Sequence, residues 1–152
     1  MTRRILLVLV SAMVLSQTAC GGDNTTTKQG DNMKIRLRIG NRALTGTLIG
    51  SKTAQDFVSL LPLTLTVNDL FGREKFAHLP RAISTEGKRT HTYEVGDIAY
   101  WSPGPDVAIY YQHDGEKIPN PGIIVIGKID SGVAVLDVAG SVKVTIELHD
   151  EQ

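Results

Sequence analysis

Tyr100-Trp101 and Tyr110-Tyr111 are the side chains of this sequence best suited to hold another molecule. Each is an adjacent aromatic pair inside a run that reads as a strand. Side chains alternate along a strand, so one member of each pair faces a core and the other faces outward or into a groove. A ring with a polar edge suits contact with a peptide. The competing reading is that all four fill the interior and its ends. Arg73, Arg81 and Arg89 fall in or near loops, where one could reach a peptide carbonyl; solvated surface arginines are the commoner case. The candidate ligand-binding residues are therefore Tyr100, Trp101, Tyr110, Tyr111, Arg73 and Arg81.

Other chemistries find little support. His78, His91, His113 and His149 lie in separate segments, and none has a second ligand type at zinc spacing, so no metal site is expected. No G-x-x-x-x-G-K loop cradles a phosphate, and no serine sits in G-x-S-x-G, so no cofactor is expected. Lys+Arg and Asp+Glu balance at 16 each, which excludes the basic excess of a nucleic-acid binder.

The N-terminus reads as a separate object. Arg3 and Arg4 precede an apolar run, Ile5 to Leu15, interrupted only by Ser11. That run is shorter than the roughly 20 residues a membrane helix needs, and has the shape of a secretory signal peptide over residues 1–19. Cys20, the one cysteine, follows Ala19 directly. Its placement resembles the lipobox of bacterial lipoproteins, whose first mature residue is a lipidated cysteine. Gln17 stands where that family usually has Leu. The alternative is a plain signal peptide with an incidental cysteine. A single exported cysteine has no partner for an intramolecular disulfide, which favours lipidation.

Cleavage removes Arg3 and Arg4, leaving 14 Lys+Arg against 16 Asp+Glu. Attachment to a membrane would then rest on acyl chains rather than charge. Residues 20–32 include GGDNTTTKQGDN, which has no apolar side chain and reads as a tether spanning about 19 Å root-mean-square. Gly21 replaces the Asp that marks inner-membrane retention in enteric-type lipoproteins. By that resemblance the protein is exported to the cell envelope, and to the outer membrane if the organism has one.

A folded domain is expected over residues 33–150. Ile35, Leu37 and Ile39 alternate with basic residues, and Gly40-Asn41 turns the chain into a second strand. Ala54, Phe57, Val58 and Leu61 share one face of a helix over 51–61, capped by Ser51 or Thr53 and ended by Pro62. Leu63, Leu65 and Val67 mark a strand. Residues 74–78 fit no single pattern, and 80–88 read as loop. Tyr93 and Val95 suggest a short strand into Gly96. Residues 96–129 then read as three strands around two proline-rich turns. Ile123 to Ile126 is continuously apolar, as in a strand covered on both faces. Ser131 to Val138 reads as a short helix, and Val142 to Leu148 as a last strand. So many short strands point to a mainly β fold closed on itself.

The order of these pieces resembles the atypical bacterial cyclophilin-like family. The most specific segments are Phe57 to Leu63 (F-V-S-L-L-P-L) and Gly96 to Gly104 (G-D-I-A-Y-W-S-P-G). The resemblance implies a small closed eight-stranded cyclophilin-like barrel with two short helices. Cyclophilins isomerise prolyl peptide bonds, with an arginine in a Phe-His-Arg motif stabilising the twisted amide. That motif is absent, and His78-Leu79-Pro80-Arg81 is its nearest likeness. Ile109-Tyr110-Tyr111 is a loose counterpart of the family's Gln-Phe-Phe. No catalytic residue is carried over. The expected function is an exported, lipid-anchored binding module for a peptide or small molecule. The alternatives are an envelope peptidyl-prolyl isomerase and a structural envelope lipoprotein.

Overall fold

A strand that is apolar on both sides must be covered on both sides, and this requirement organises the domain. The computed structural model describes residues 32–149. The expected signal peptide, Cys20 and all but the last residue of the tether lie outside the described residues.

Nine strands form one antiparallel sheet: β1 (Met33–Ile39), β2 (Arg42–Leu48), β3 (Leu63–Leu70), β4 (Glu74–His78), β5 (Arg89–Thr90), β6 (Asp97–Trp101), β7 (Asp106–Tyr110), β8 (Ile123–Ile129) and β9 (Val142–Leu148). The pairing order runs β1-β9-β3-β4-β7-β6-β8, and β8 returns to β2, which pairs with β1. Eight strands thus close a barrel, and the two-residue β5 joins only β8. Closure leaves no open row of unpaired backbone groups along the barrel wall.

Alternation decides which face each residue takes. Ile35 and Leu37 on β1 and Val144 and Ile146 on β9 point into the barrel and are fully or almost fully buried. The helix α1 (Lys52–Val58) adds Ala54 and Phe57 to this core, both without exposure. Removing Phe57 to Ala would cost about 3–5 kcal/mol through lost burial and the cavity left behind. Ser51 caps α1, its hydroxyl accepting from Ala54 N–H. Thr53 is buried inside the helix instead of capping it.

Gly127 marks the closing seam. A Cβ there would lie 2.6 Å from the Thr47 carbonyl oxygen and 2.7 Å from a Leu48 methyl. Only glycine lets β8 approach β2 this closely.

Three expectations are corrected. The segment over Ser131–Val138 forms only a 3-10 turn, Val133–Leu136, because its β-branched valines disfavour an α-helix. Tyr93 and Val95 form no strand; the extra strand is Arg89–Thr90. The domain has one α-helix of seven residues, Lys52–Val58, which is shorter than the 51–61 span expected. Among the described residues no helix is long and apolar enough to cross a membrane.

Candidate functional site

The outer face of the barrel carries a second, smaller apolar cluster. It contains Tyr93, Ala99, Ala108, Tyr110, Ile118 and Ile123, with Phe76, Trp101 and Val125 packed against it. Ile123 belongs to this outer cluster and Ile124 to the interior, which explains the unbroken apolar run of β8. The outer cluster surrounds a cavity of about 210 Å³.

The floor of that cavity is built by register. On β4 and β7 the outward pairs are Glu74 opposite Tyr110, Phe76 opposite Ala108, and His78 opposite Asp106. Ala108 is the small residue between larger ones, and the cavity lies above it. Leu70, Phe71 and Arg73 form one wall, at the β3–β4 turn. Trp101, Ile118, Pro119 and Ile123 form the other. The result is an apolar groove with charged residues towards both ends of its floor.

One end holds Arg73 and Glu74, each 6% exposed. Arg73 Nη1 donates to Asp114 Oδ2 at 2.9 Å, and Arg73 Nε lies 3.4 Å from Glu74 Oε2. Tyr93 O–H donates to Asp114 Oδ1 at 2.6 Å. The Tyr93 ring stacks on Tyr110 at 4.1 Å and on His113 at 4.7 Å. Burial pushes the Glu74 carboxyl above the ordinary range, against the pull of Tyr110 and Arg73. Burial also raises Tyr110, reinforced by the Glu74 charge, so its hydroxyl stays a neutral donor. The hydrogen bond from Tyr93, with those from Glu116 N–H and Arg73, brings Asp114 down to about 2. Burial works against the Arg73 charge, but the Asp114 hydrogen bond and the Glu74 charge outweigh it and raise its pKa.

The other end holds Asp106, whose Oδ1 meets His78 Nδ1; that nitrogen also lies 3.0 Å from the Gly104 carbonyl oxygen. Among the described residues, four buried side-chain polar atoms lack an aligned hydrogen bond. Three of them, Arg73 Nε, Glu74 Oε2 and Asp106 Oδ1, belong to the groove. Each faces a charged partner instead: Arg73 Nε and Glu74 Oε2 face one another, and Asp106 Oδ1 faces His78.

The six candidate residues divide evenly. Arg73, Trp101 and Tyr110 converge on the groove. Tyr100 points into the barrel, 1% exposed, its hydroxyl accepting from Ile83 N–H. Tyr111 also turns inward, and its hydroxyl donates to Asp69. Arg81 is exposed and bonds Ser59 and the Ala82 carbonyl, away from the groove. Arg89 ties Gly122 to Ser102 as a structural link. Phe71, Glu74, Phe76 and Asp106 were not among the candidates. Their signal lay in Glu74, Phe76 and His78 at alternate positions, which becomes readable only once Lys75 is known to face inward. No group of three or more His, Cys, Asp or Glu that could hold a metal occurs among the described residues.

The comparisons with known proteins agree with this architecture. No curated protein matches the chain. The solution structure of the hypothetical protein AF2241 from Archaeoglobus fulgidus is similar, with a TM-score of 0.63 and 25% identity. The match covers 79% of this chain and 97% of that one. The profile of the cyclophilin-like family matches residues 37–147, from the second half of β1 to the end of β9, and therefore takes in the barrel and the groove on its outer face. The chain belongs to the cyclophilin-like family.

Proposed function

We propose that the groove over β4 and β7 binds a peptide segment or small molecule with an apolar body and a hydrogen-bonding group. The observation that carries this reading is an apolar cavity on the outer face of the barrel whose lining includes an arginine, a carboxylate and a tyrosine. A mostly apolar cavity with a few convergent polar groups is the usual form of a ligand site. Trp101 is the chain's single tryptophan and lines the groove, so its indole N–H resonance reports occupancy directly. Titration of the full chain with a blocked proline tetrapeptide should shift that resonance. An indole signal that stays fixed at millimolar peptide would argue against the groove as a peptide site.

A second reading, prolyl isomerisation, is supported by one specific feature: an arginine placed in an apolar groove beside a tyrosine. Rotation about the amide must overcome about 18–20 kcal/mol. A guanidinium that holds the twisted amide lowers that barrier only if it binds the transition state more tightly than the ground state. Arg73 is the residue placed to do this, and its pairing with Asp114 fixes its direction. The expected result is faster cis–trans exchange of the tetrapeptide with the native chain and loss of that rate in Arg73→Ala. No acceleration above background leaves binding alone.

The leader, Cys20 and the polar tether support export and lipid anchoring. Cys20→Ser should abolish incorporation of labelled fatty acid and move the protein from the membrane to the soluble fraction. Unchanged membrane retention of Cys20→Ser would contradict lipid anchoring.

A further inference from the structure

We propose that Phe71 sets the ligand preference of the groove, by offering its ring to a bulky apolar side chain of a bound peptide. This rests on the binding reading above.

Phe71 occupies a backbone position that disfavours it. Its φ is +57°, followed by Gly72 at +64°, and Arg73 N–H bonds back to the Leu70 carbonyl to close the turn. Two successive left-handed residues are ordinarily Asn-Gly, Asp-Gly or Gly-Gly, because a β-carbon larger than theirs crowds the backbone there. A phenylalanine at this place is locally the wrong choice for folding.

Nor does the ring repay the fold by burial. It is 73% exposed, the most exposed large apolar side chain among the described residues. Its ring lies against the Arg73 guanidinium, 5.1 Å from the ring centroid. The other large exposed apolar residues, Ile49, Val95, Val138 and Leu148, do not line the groove; Phe71 does. Strain and exposure therefore coincide in the lining of this groove. Positions where local preference fails in this way are where function is expected.

The geometry specifies the chemistry. Leu70 and Phe71 add apolar lining beside Arg73. A peptide whose backbone engages the polar groups would lay its next side chain against this wall. An aliphatic or aromatic side chain gains area there, and a glycine gains none.

The test compares acetyl-Ala-Pro-Leu-amide with acetyl-Ala-Pro-Gly-amide, each titrated into the full chain and read by the Trp101 indole signal. The native chain should prefer the leucine peptide by about tenfold. Phe71→Asn should bring the two affinities to within about twofold and raise Tm by a few degrees, since asparagine suits the turn. Phe71→Leu, which keeps apolar bulk, should retain most of the preference. An unchanged leucine preference in Phe71→Asn overturns the proposal while leaving the groove reading intact. So does an equal loss for both peptides, which would mean the ring merely orients Arg73. A fall in Tm in Phe71→Asn would make the ring structural and also overturn it. If neither peptide moves the indole signal of the native chain, the groove reading itself fails.

Discussion

Arg73 and Glu74 are consecutive in the chain, yet both side chains enter the same groove, with Arg73 Nε 3.4 Å from Glu74 Oε2. Strict alternation would send them to opposite faces. The Arg73 carbonyl accepts from two successive N–H groups, Tyr111 at 2.9 Å and Gln112 at 3.1 Å, a bulge pattern that puts the extra residue in the Tyr111–Gln112 segment, opposite Arg73. Arg73 precedes β4 and belongs to the turn begun by Phe71-Gly72, so its side chain is free of the strand's alternation and enters the groove beside Glu74.

That arrangement gives Glu74 a definite pH dependence. Its pKa in the folded protein is raised, chiefly by burial. A carboxyl of that kind contributes stability below its unfolded pKa, and loses it as pH rises through the folded value. Glu74→Gln removes the buried charge and leaves Arg73 its bond to Asp114. Its Tm should exceed that of the native chain at neutral pH, and the gain should shrink as pH falls into the ordinary carboxylate range. A lower Tm for the variant at neutral pH would show that the Arg73 pairing outweighs burial.

Asp114 behaves in the opposite sense. Hydrogen bonds from Tyr93, Glu116 N–H and Arg73 bring its pKa to about 2, from the ordinary 3.8. Its contribution is present above the unfolded value and is lost as pH falls from there towards 2. Asp114→Asn should therefore melt lower than the native chain at neutral pH, with the difference closing in that acid window. Parallel Tm–pH curves for the two proteins would count against it.

Inside the barrel, Lys75 has no exposure, and its ammonium is held by Asp69 Oδ1 and the Val138 and Gly140 carbonyls. Lys75→Met leaves two carbonyls without this donor and strips Asp69 of its cation, though Tyr111 O–H and Gly72 N–H still donate to that carboxylate. Denaturant unfolding should show a loss of about 3–5 kcal/mol, the range for breaking a buried ion pair from one side. A loss below about 1 kcal/mol would mean that water or a side-chain shift replaces the ammonium.

At the closing seam, Gly127→Ala drives a methyl into the Thr47 carbonyl and Leu48. The expected cost is about 1–3 kcal/mol by denaturant unfolding, as for other overpacked sites. Hydrogen exchange should quicken first at the β2–β8 pairs Gly46–Ile129 to Leu48–Gly127. Unaltered exchange there would place the strain elsewhere.

The residues that spelled out the fold were those exposed on one side only. β1 and β9 alternate visibly because one face is polar, and α1 shows its face through Ala54 and Phe57. β4 hid itself: with Lys75 inward and Phe76 outward, its sequence Glu-Lys-Phe-Ala-His follows neither pattern. The aromatic pairs showed that one member faces out, and Trp101 and Tyr110 do. Which member it is depends on register, fixed by partners far away in the chain. Arg73 was readable as a candidate but Glu74 was not, because the face Glu74 takes is set by its pairing with the distant Tyr110.

The most direct test is to fill the groove. Ala108 lies on its floor opposite Phe76, with the cavity above it. Ala108→Leu should place its side chain in that space, keep the Tm within a few degrees, and weaken binding of acetyl-Ala-Pro-Leu-amide at least about tenfold, as read by the Trp101 indole resonance. Undiminished binding by a folded Ala108→Leu protein would show that the ligand sits somewhere other than this groove.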